Sequence, residues 1–571
     1  MGKDMISGAR IVLETLHHIG VRHIFGYPGG AVIPIYDEIY KYDGLTHYFA
    51  RHEQGAAHEA DGYARASGRC GVCLATSGPG ATNLVTGLMT AHMDSVPVLA
   101  ITGQVGCSLL GKDAFQESDI VGITSPITKH NYLIKSIKEL PRAIREAHYI
   151  ATTGRPGPVL IDIPKDVQVS QISRDEFKKL LSQPFDLEGY DPNYDGHPRQ
   201  IKKAVKLLKQ AKKPLIIAGA GVIKSGASSQ LYELATKAHI PVTNTLLGLG
   251  SFPAQHELFL GMLGMHGTAP ANFATDEADV VLAVGIRFDD RIAGNPEAFC
   301  KQATIIHIDI DPAEIEKNRR VDVPIVGDAK NVLTAINEGM GDAKHTDWLN
   351  TVKEWKEEYA LRYEPSTNGG LKPQQVLAYV DNLLQGEAIV VTDVGQHQMW
   401  AAQYMHLKDA NTMLTSGGAG TMGYGLPAAI GAQVSRPDKK VVLIVGDGGF
   451  QMTAQELMLI HQYKLPVKIV LLNNSFLGMV RQWQELFNDK RYSFVDLECN
   501  PDFQTLAKAY HVAAVKLETE ADLSKLDEAL FSDEGILIEC VVEREENVYP
   551  MIPAGQTVAE MVGKKGVPDN E

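Results

Sequence analysis

The chain has 571 residues, 44% hydrophobic and 22% charged, with 54 Lys and Arg against 69 Asp and Glu for a formal charge of −15. This length exceeds what one core serves, so three or four globular domains are expected, and the acidic excess argues against a nucleic-acid or anionic-membrane surface. Six cysteines are too few for a disulfide framework; with no signal-peptide pattern and no long apolar run, they point to a cytoplasmic protein.

In chain order, Ser7 to Ile19 places Ile11, Val12, Leu16 and Ile19 on one face, which predicts an amphipathic helix capped at Gly20. A strand at His23–Phe25 meets the turn cluster Gly26 to Gly30. A second, Thr46–Ala50, runs into Arg51-His-Glu53-Gln-Gly55 and a helix, so Glu53 falls between a strand end and a helix start. Cys70–Thr76 reads as a strand. Cys70 and Cys73, although spaced C-x-x-C, then face opposite sides of it, and no second pair accompanies them. Ser77-Gly-Pro-Gly-Ala-Thr-Asn83 enters a helix whose free N–H groups suit an anion, and Val96–Thr102 closes the unit.

Residues 170–200 are polar and rich in Asp, Pro and Tyr, and read as a linker. Strands follow at Pro214–Gly219, Val280–Gly285 and Ala303–Asp309. The Gly219-Ala-Gly221 turn lacks the third glycine of a dinucleotide fingerprint, since position 224 is Lys, so it does not by itself specify NAD. Residues 340–370 are charged and helical. The elements predict an α/β chain of three consecutive Rossmann-like, doubly wound parallel-sheet domains over 1–180, 195–345 and 371–545. A polar tail over 546–571 is of the kind that is often mobile and sometimes a lid.

In the last domain, Val441–Gly446 is a continuous apolar run, followed by a predicted helix at Met452–Tyr463 and a second buried strand at Leu465–Leu472. This β-α-β unit puts Asp447 and Asn474 at the carboxyl ends of its strands, where open α/β sheets bind ligands. One carboxylate, one amide oxygen and the backbone exposed by Gly448 and Gly449 make a hard-oxygen set suited to Mg²⁺ holding a diphosphate. An ordinary Asp-Gly turn is the plainer reading of the triplet alone. The unit from Thr76 to Thr102 has the same order of Gly-rich turn, helix and x-Pro-Val strand, a weak internal repeat that suggests two similar domains.

Eight further stretches, in this order, carry a family resemblance. They are Phe25–Ala31, Arg51–Gly55, Thr76–Asn83, Lys112–Glu117, Arg287–Arg291, Gly395–Trp400, Gly420–Gly425 and Gly478–Trp483. With the Gly446-Asp-Gly opening and the Asn473-Asn474 close, the chain resembles thiamine-diphosphate (ThDP) enzymes and, among them, the catalytic subunits of acetohydroxyacid (acetolactate) synthases over nearly its full length.

The resemblance implies roles. Glu53 matches the glutamate that hydrogen-bonds N1′ of the aminopyrimidine and activates the cofactor. Met422 matches the apolar residue that holds ThDP bent. Gly395, Gln396, His397, Gly448 and Gly449 match positions that cradle the diphosphate, and Asp447, Asn474 and the Phe476 carbonyl match the Mg²⁺ ligands. In the middle domain, Gly219, Gly221, Gly264, Met265, His266 and Gly285, with Arg287, Asp289, Arg291 and Asp309, fall in or beside segments that resemble FAD-binding ones. Arg291 and Trp483 resemble the pair that favours 2-oxobutyrate and receives its carboxylate, while Phe115, Gln116, Lys165 and Met479 match residues around the substrate channel. One departure is Gln104-Val-Gly-Cys107-Ser-Leu109, which replaces a more basic segment and bears on channel entry.

The implied reaction is a transferase reaction. It decarboxylates pyruvate and joins the two-carbon remainder to a second pyruvate or to 2-oxobutyrate, giving 2-acetolactate or 2-aceto-2-hydroxybutyrate for branched-chain amino acid synthesis. The implied assembly is a homodimer or homotetramer with shared sites, with or without a small regulatory subunit. A flavin-dependent pyruvate oxidase, another ThDP 2-oxo acid decarboxylase and an inactive scaffold paralogue are the competing readings.

Overall fold

The structure is a computed structural model describing residues 4–367 and 369–569. Short apolar runs bounded by glycine and proline form three six-stranded sheets, each parallel throughout. Parallel strands of this kind are covered by helices on both faces, which explains why they read as unbroken hydrophobic runs.

The first sheet is built from β2 (His23–Gly26), β3 (Thr46–Phe49), β4 (Gly71–Ala75), β5 (Val98–Gln104), β6 (His130–Leu133) and β7 (Val159–Pro164), in the order β3-β2-β4-β5-β7-β6. A separate antiparallel pair joins β1 (Met5–Ser7) to β8 (Gln171–Ser173). The middle sheet contains β9 (Pro214–Ala218), β10 (Val242–Asn244), β11 (Phe259–Met262), β12 (Val280–Val284), β13 (Thr304–Asp309) and β14 (Val323–Val326), ordered β11-β10-β9-β12-β13-β14. That is the Rossmann 3-2-1-4-5-6 order. The last sheet contains β15 (Ile389–Thr392), β16 (Met413–Leu414), β17 (Val441–Gly446), β18 (Lys468–Asn473), β19 (Ala513–Leu517) and β20 (Ile536–Val541), ordered β16-β15-β17-β18-β20-β19.

Renumbered from its own first strand, the last sheet repeats the 2-1-3-4-6-5 order of the first. The weak sequence repeat is therefore a repeat of topology. The two domains also share one hydrophobic core, in which the helix Glu53–Ser67 lies against Gly425–Ser435. The approach is close enough that a Cβ on Gly62 would stand 2.1 Å from the Ala428 carbonyl oxygen, and one on Gly431 1.9 Å from that of Glu59. Only glycine fits at either crossing.

Four expectations change. The segment read as a linker starts with structure: β8 pairs with β1, and Ser173 caps a helix over Arg174–Ser182 through its Oγ. The helix expected after Ser77–Asn83 is two pieces, Pro79–Thr82 and Val85–Met93. The helix expected over Met452–Tyr463 is also divided. It runs Asp447–Gln451, then a 3₁₀ turn at Ala454–Glu456, then Leu457–Tyr463. The break falls where Thr453 Oγ1 donates to the Gly423 carbonyl and the Glu456 carboxylate accepts from Arg51 N–H, tertiary bonds that override helical periodicity. The tail is packed as far as Asp569: Met551 pairs with Val562, Ile552 N–H donates to the Met265 carbonyl at 2.8 Å, and Ile552 and Met561 bury against Ala269. Cys70 and Cys73 do point into the cores on opposite faces of the first sheet, where burial pushes both thiols up to about 12. Among the described residues no helix is long and apolar enough to cross a membrane.

Candidate active site

In an open parallel sheet, ligands sit where the strand order reverses. In the last sheet that point lies between β15 and β17, so the loops at Asp393–Gly395 and Gly446–Gly449 flank it. Asp447 stands there, buried at 1% exposure, with Asn500 Nδ2 donating to its Oδ2 at 2.6 Å. Burial pushes its carboxyl up to about 6, against the lowering effect of that hydrogen bond. Asn474 closes the group: its Oδ1 accepts from Phe476 N–H at 3.1 Å, and its Nδ2 lies 3.5 Å from Gln396 Oε1.

The Gln396 amide nitrogen is spent elsewhere, donating to Gln482 Oε1 at 3.0 Å and the Glu546 carbonyl at 2.8 Å. His397 packs against Gly446, with a buried Nε2 that has no partner among the described residues. That orphaned nitrogen and the two glycine-exposed turns fit a phosphate-bearing ligand. Among the described residues no cluster of three or more His, Cys, Asp or Glu could hold a metal. A cation bound by one carboxylate, an amide and a carbonyl draws its remaining negative charge from the ligand, which suits Mg²⁺ with a diphosphate.

Met422 connects this group to the middle domain. A Cβ on Gly448 would lie 3.7 Å from Met422 Cε, and Met422 lines a cavity of about 1060 Å³. Its segment is anchored by Asp393, whose two oxygens accept from Gly423 N–H at 3.1 Å and Gly425 N–H at 2.7 Å. The cavity opens at the strand-order reversal of the middle sheet, between β9 and β12, and is lined there by Gly221, Gly285, Arg287 and Asp289. Met265, His266, Asp309, Arg291, Gly395, Met479 and Trp483 also face it. It is at the upper end of ligand-pocket volumes, as a dinucleotide requires. Burial pushes the Asp309 carboxyl up to about 7 and the His266 imidazole down to about 4.

Gly219 and Gly264, expected with these residues, do not line the cavity. A Cβ on Gly219 would sit 2.3 Å from the Gly285 carbonyl oxygen, and one on Gly264 2.5 Å from that of Arg291. They permit close backbone packing behind the wall.

Within this lining the Arg291 guanidinium carbon lies 5.4 Å from the Trp483 ring centre. Arg291 arrives from the middle domain, Trp483 from the helix Gly478–Phe487 of the last.

Glu53 opens the helix Glu53–Ser67, is 9% exposed, and accepts from Asn83 Nδ2 at 3.0 Å. A Cβ on Gly80 would lie 3.2 Å from Glu53 Oε1, and one on Gly78 2.9 Å from the Gln116 carbonyl oxygen, so Glu53 and Gln116 flank the Gly78–Gly80 turn. Phe115 is 89% exposed beside them, and Lys165 is exposed at the start of the helix Lys165–Val169. None of these four lines the Met422 cavity.

Sequence reading singled out neither Asn500, which orients Asp447, nor Asp393, which anchors the Met422 segment. Asn83 was visible as the end of a motif, and Asp393 sits two residues before the flagged Gly395; Asn500 had no local signal.

Models of thiamine pyrophosphate enzymes match the chain in three parts. The N-terminal TPP binding domain matches residues 6–123, the central domain 201–336 and the C-terminal TPP binding domain 393–540. The acetolactate synthase large subunit of Lactococcus lactis is 48% identical over 99% of this chain and 97% of its own length. The chain belongs to the acetolactate synthase large-subunit family of thiamine pyrophosphate enzymes. The probable acetolactate synthase large subunit of Methanocaldococcus jannaschii is 49% identical over 98% of this chain and 95% of its own. That of Haemophilus influenzae is 46% identical over 98% of both. Membership places the cofactor of the family, thiamine diphosphate, across the N-terminal and C-terminal domains, the two with matching strand order.

Proposed function

We propose that this chain is the catalytic large subunit of an acetolactate synthase, converting two pyruvate molecules, or pyruvate and 2-oxobutyrate, into a 2-acetohydroxy acid and CO₂. The observation that carries the reading is the Arg291–Trp483 pair on the wall of the cavity that Met422 also lines. A guanidinium offers a forked donor to a 2-oxo acid carboxylate, and an adjacent indole offers an apolar surface to a short alkyl group. Together they form a receptor for a second 2-oxo acid.

ThDP, when bound, supplies the carbon nucleophile that attacks the keto carbon and stabilises the charge left by decarboxylation. Asp447, Asn474 and the Phe476 carbonyl hold Mg²⁺ against its diphosphate, with Gly395, Gln396, His397, Gly448 and Gly449 shaping the cradle. Met422 would pack against the bound cofactor and support it. Glu53 shares a proton with ring atom N1′, its carboxylate already held in place by Asn83 Nδ2. Arg291 takes the carboxylate of the second substrate, Trp483 and Met479 enclose its alkyl end, and Phe115, Gln116 and Lys165 line the approach.

Glu53 does not face the Met422 cavity of its own chain, which supports a homodimer or higher homo-oligomer whose sites combine the N-terminal domain of one copy with the C-terminal domain of another. The middle-domain cavity holds FAD against Gly221, Met265, His266, Gly285, Arg287, Asp289 and Asp309. In this reading the domains extend over 1–180, 195–345 and 371–545, and the protein works in the cytoplasm.

The test is turnover of pyruvate by the purified protein with ThDP, Mg²⁺ and FAD, and competition with 2-oxobutyrate. Acetolactate and CO₂ are expected from a yellow, flavin-bearing preparation. Acetyl phosphate or hydrogen peroxide as product would replace this reading by an oxidase.

A further inference from the structure

The segment between β16 and the helix Gly425–Ser435 carries Met422 and contains Gly417-Gly418-Ala-Gly420, a run with almost no side chains to hold it in place. Glycine backbone of this kind has the most conformational freedom to lose, so its position depends on outside contacts. For Gly417 and Gly418 those contacts come from the N-terminal domain, while Asp393 of the segment's own domain holds Gly423 and Gly425. Asp94, which caps the helix Val85–Met93, accepts from Gly417 N–H at Oδ2 (3.0 Å) and from Gly418 N–H at Oδ1 (2.7 Å).

Arg65 holds Asp94 in turn. Its Nη2 donates to Asp94 Oδ2 at 2.9 Å, its Nε to Asp61 Oδ1 at 2.6 Å and its Nη1 to the Thr415 carbonyl at 2.8 Å. Tyr424 OH donates to Asp61 at 2.8 Å, and the hydroxyls of Thr90 and Thr421 lie 2.7 Å apart. The segment is thus gripped at 415, at 417–418, at 421 and at 424 by side chains of one other domain. The Asp61 and Asp94 side chains are fully buried and that of Arg65 is 8% exposed. Buried charge of this kind is costly unless every group is paired, and it contributes fixed geometry rather than net stability. The middle domain also reaches this point: a Cβ on Gly418 would stand 2.9 Å from Asp94 Oδ1 and 3.3 Å from Arg287 Nη2.

We infer that Asp94 is a positioning residue for the reaction, setting through the Gly417 and Gly418 N–H groups where Met422 lies above Gly448. The inference rests on the reading of Met422 as the support of ThDP. Asp94 touches neither substrate nor the reacting atoms; it acts through the segment.

The experiment titrates ThDP into the flavin-loaded, ThDP-depleted protein, following quenching of tryptophan fluorescence, with kcat measured at saturating ThDP. Asp94→Asn keeps the shape but cannot accept all three bonds, since one of its two atoms is a donor. Its half-saturating ThDP is expected to rise at least about tenfold, the scale of one lost hydrogen bond to a buried charge. Saturating ThDP should restore most of kcat, and flavin retention should be unchanged. A merely structural role would lower the melting midpoint and leave ThDP affinity alone.

Gly418→Ala leaves the Arg65–Asp94 pair in place while pushing the segment off Asp94, and should weaken ThDP in the same way. It decides the matter alone if Asp94→Asn fails to fold. Parental ThDP affinity in both variants, or in Gly418→Ala alone in that case, would overturn the inference. Met422→Ala separates the underlying reading: parental affinity there, with weakened Asp94→Asn and Gly418→Ala, removes Met422 from the cofactor seat and leaves Asp94 as the residue that places the segment.

Discussion

Arg291 and Trp483 lie 192 positions apart in sequence, yet the guanidinium carbon rests 5.4 Å from the indole ring centre on the wall of one cavity. The contact ties the middle domain to the last one at the place proposed above to receive the second substrate. The cation is not consumed by an ion pair: its Nε stands 3.7 Å from an exposed Asp290 carboxylate, and its Nη1 reaches Met265 Sδ at 3.6 Å. It retains donors for an incoming carboxylate.

Trp483→Leu should therefore lower the preference for 2-oxobutyrate over pyruvate by roughly 10-fold or more, the scale of one lost apolar contact in a pocket. Pyruvate consumption alone should be less affected. The ratio of 2-aceto-2-hydroxybutyrate to 2-acetolactate in a competition assay measures it, and an unchanged ratio would remove Trp483 from substrate choice.

Glu53→Gln keeps the bond to Asn83 through the amide oxygen but removes the carboxylate proposed to share a proton with N1′. Exchange of the ThDP C2 proton should slow by about 10²–10⁴-fold, the usual weight of a positioned acid–base group. Deuterium exchange followed by NMR reads this directly. A parental exchange rate would remove Glu53 from activation.

Asn500→Ala frees Asp447 Oδ2 from its 2.6 Å hydrogen bond. Residues that orient a metal ligand typically carry about 10–100-fold in metal affinity. Titrating Mg²⁺ into chelator-treated protein at fixed ThDP should show a rise of that order in half-saturation, with the fold unchanged by circular dichroism. No change would make the contact incidental to metal binding.

Glu456 lies buried at the junction of the first and last domains, accepting from Arg51 N–H at 2.9 Å, and a second buried carboxyl, Glu59, lies beside it. Burial raises Glu456 to about 7 and drives Glu59 upward as well. An acid whose folded pKa lies above its unfolded one binds more protons when folded. The contribution of Glu456 to stability is then greatest at low pH and falls between about pH 4.5 and 7. Glu456→Gln keeps an acceptor for Arg51 without the charge. Its melting midpoint should exceed the parent's at pH 8 and approach it at pH 5; equal midpoints at both values would show that the pair carries no net burial cost.

The strand-end positions of Asp447, Asn474 and Glu53 were legible in the sequence because they follow from one-dimensional pattern, while Gly395 was named only through the family resemblance. Apolar runs bounded by glycine specify buried parallel strands, and ligands collect at the carboxyl ends of such strands. The weak repeat of Gly-rich turn, helix and x-Pro-Val strand suggested two similar domains, and the structure gives their sheets the same strand order. What required the tertiary structure was every contact made between segments distant in sequence. Asn500 reaches Asp447 from 53 positions away, Asp94 reaches Gly418 from 324, and Thr453 and Glu456 break a helix by bonding outside their own domain or segment. Hydrogen bonds and close packing between distant segments leave no periodic trace along a chain. Residues that can be named from pattern are therefore those proposed to meet the ligand, while the residues that hold them in place emerge only when distant segments are packed together.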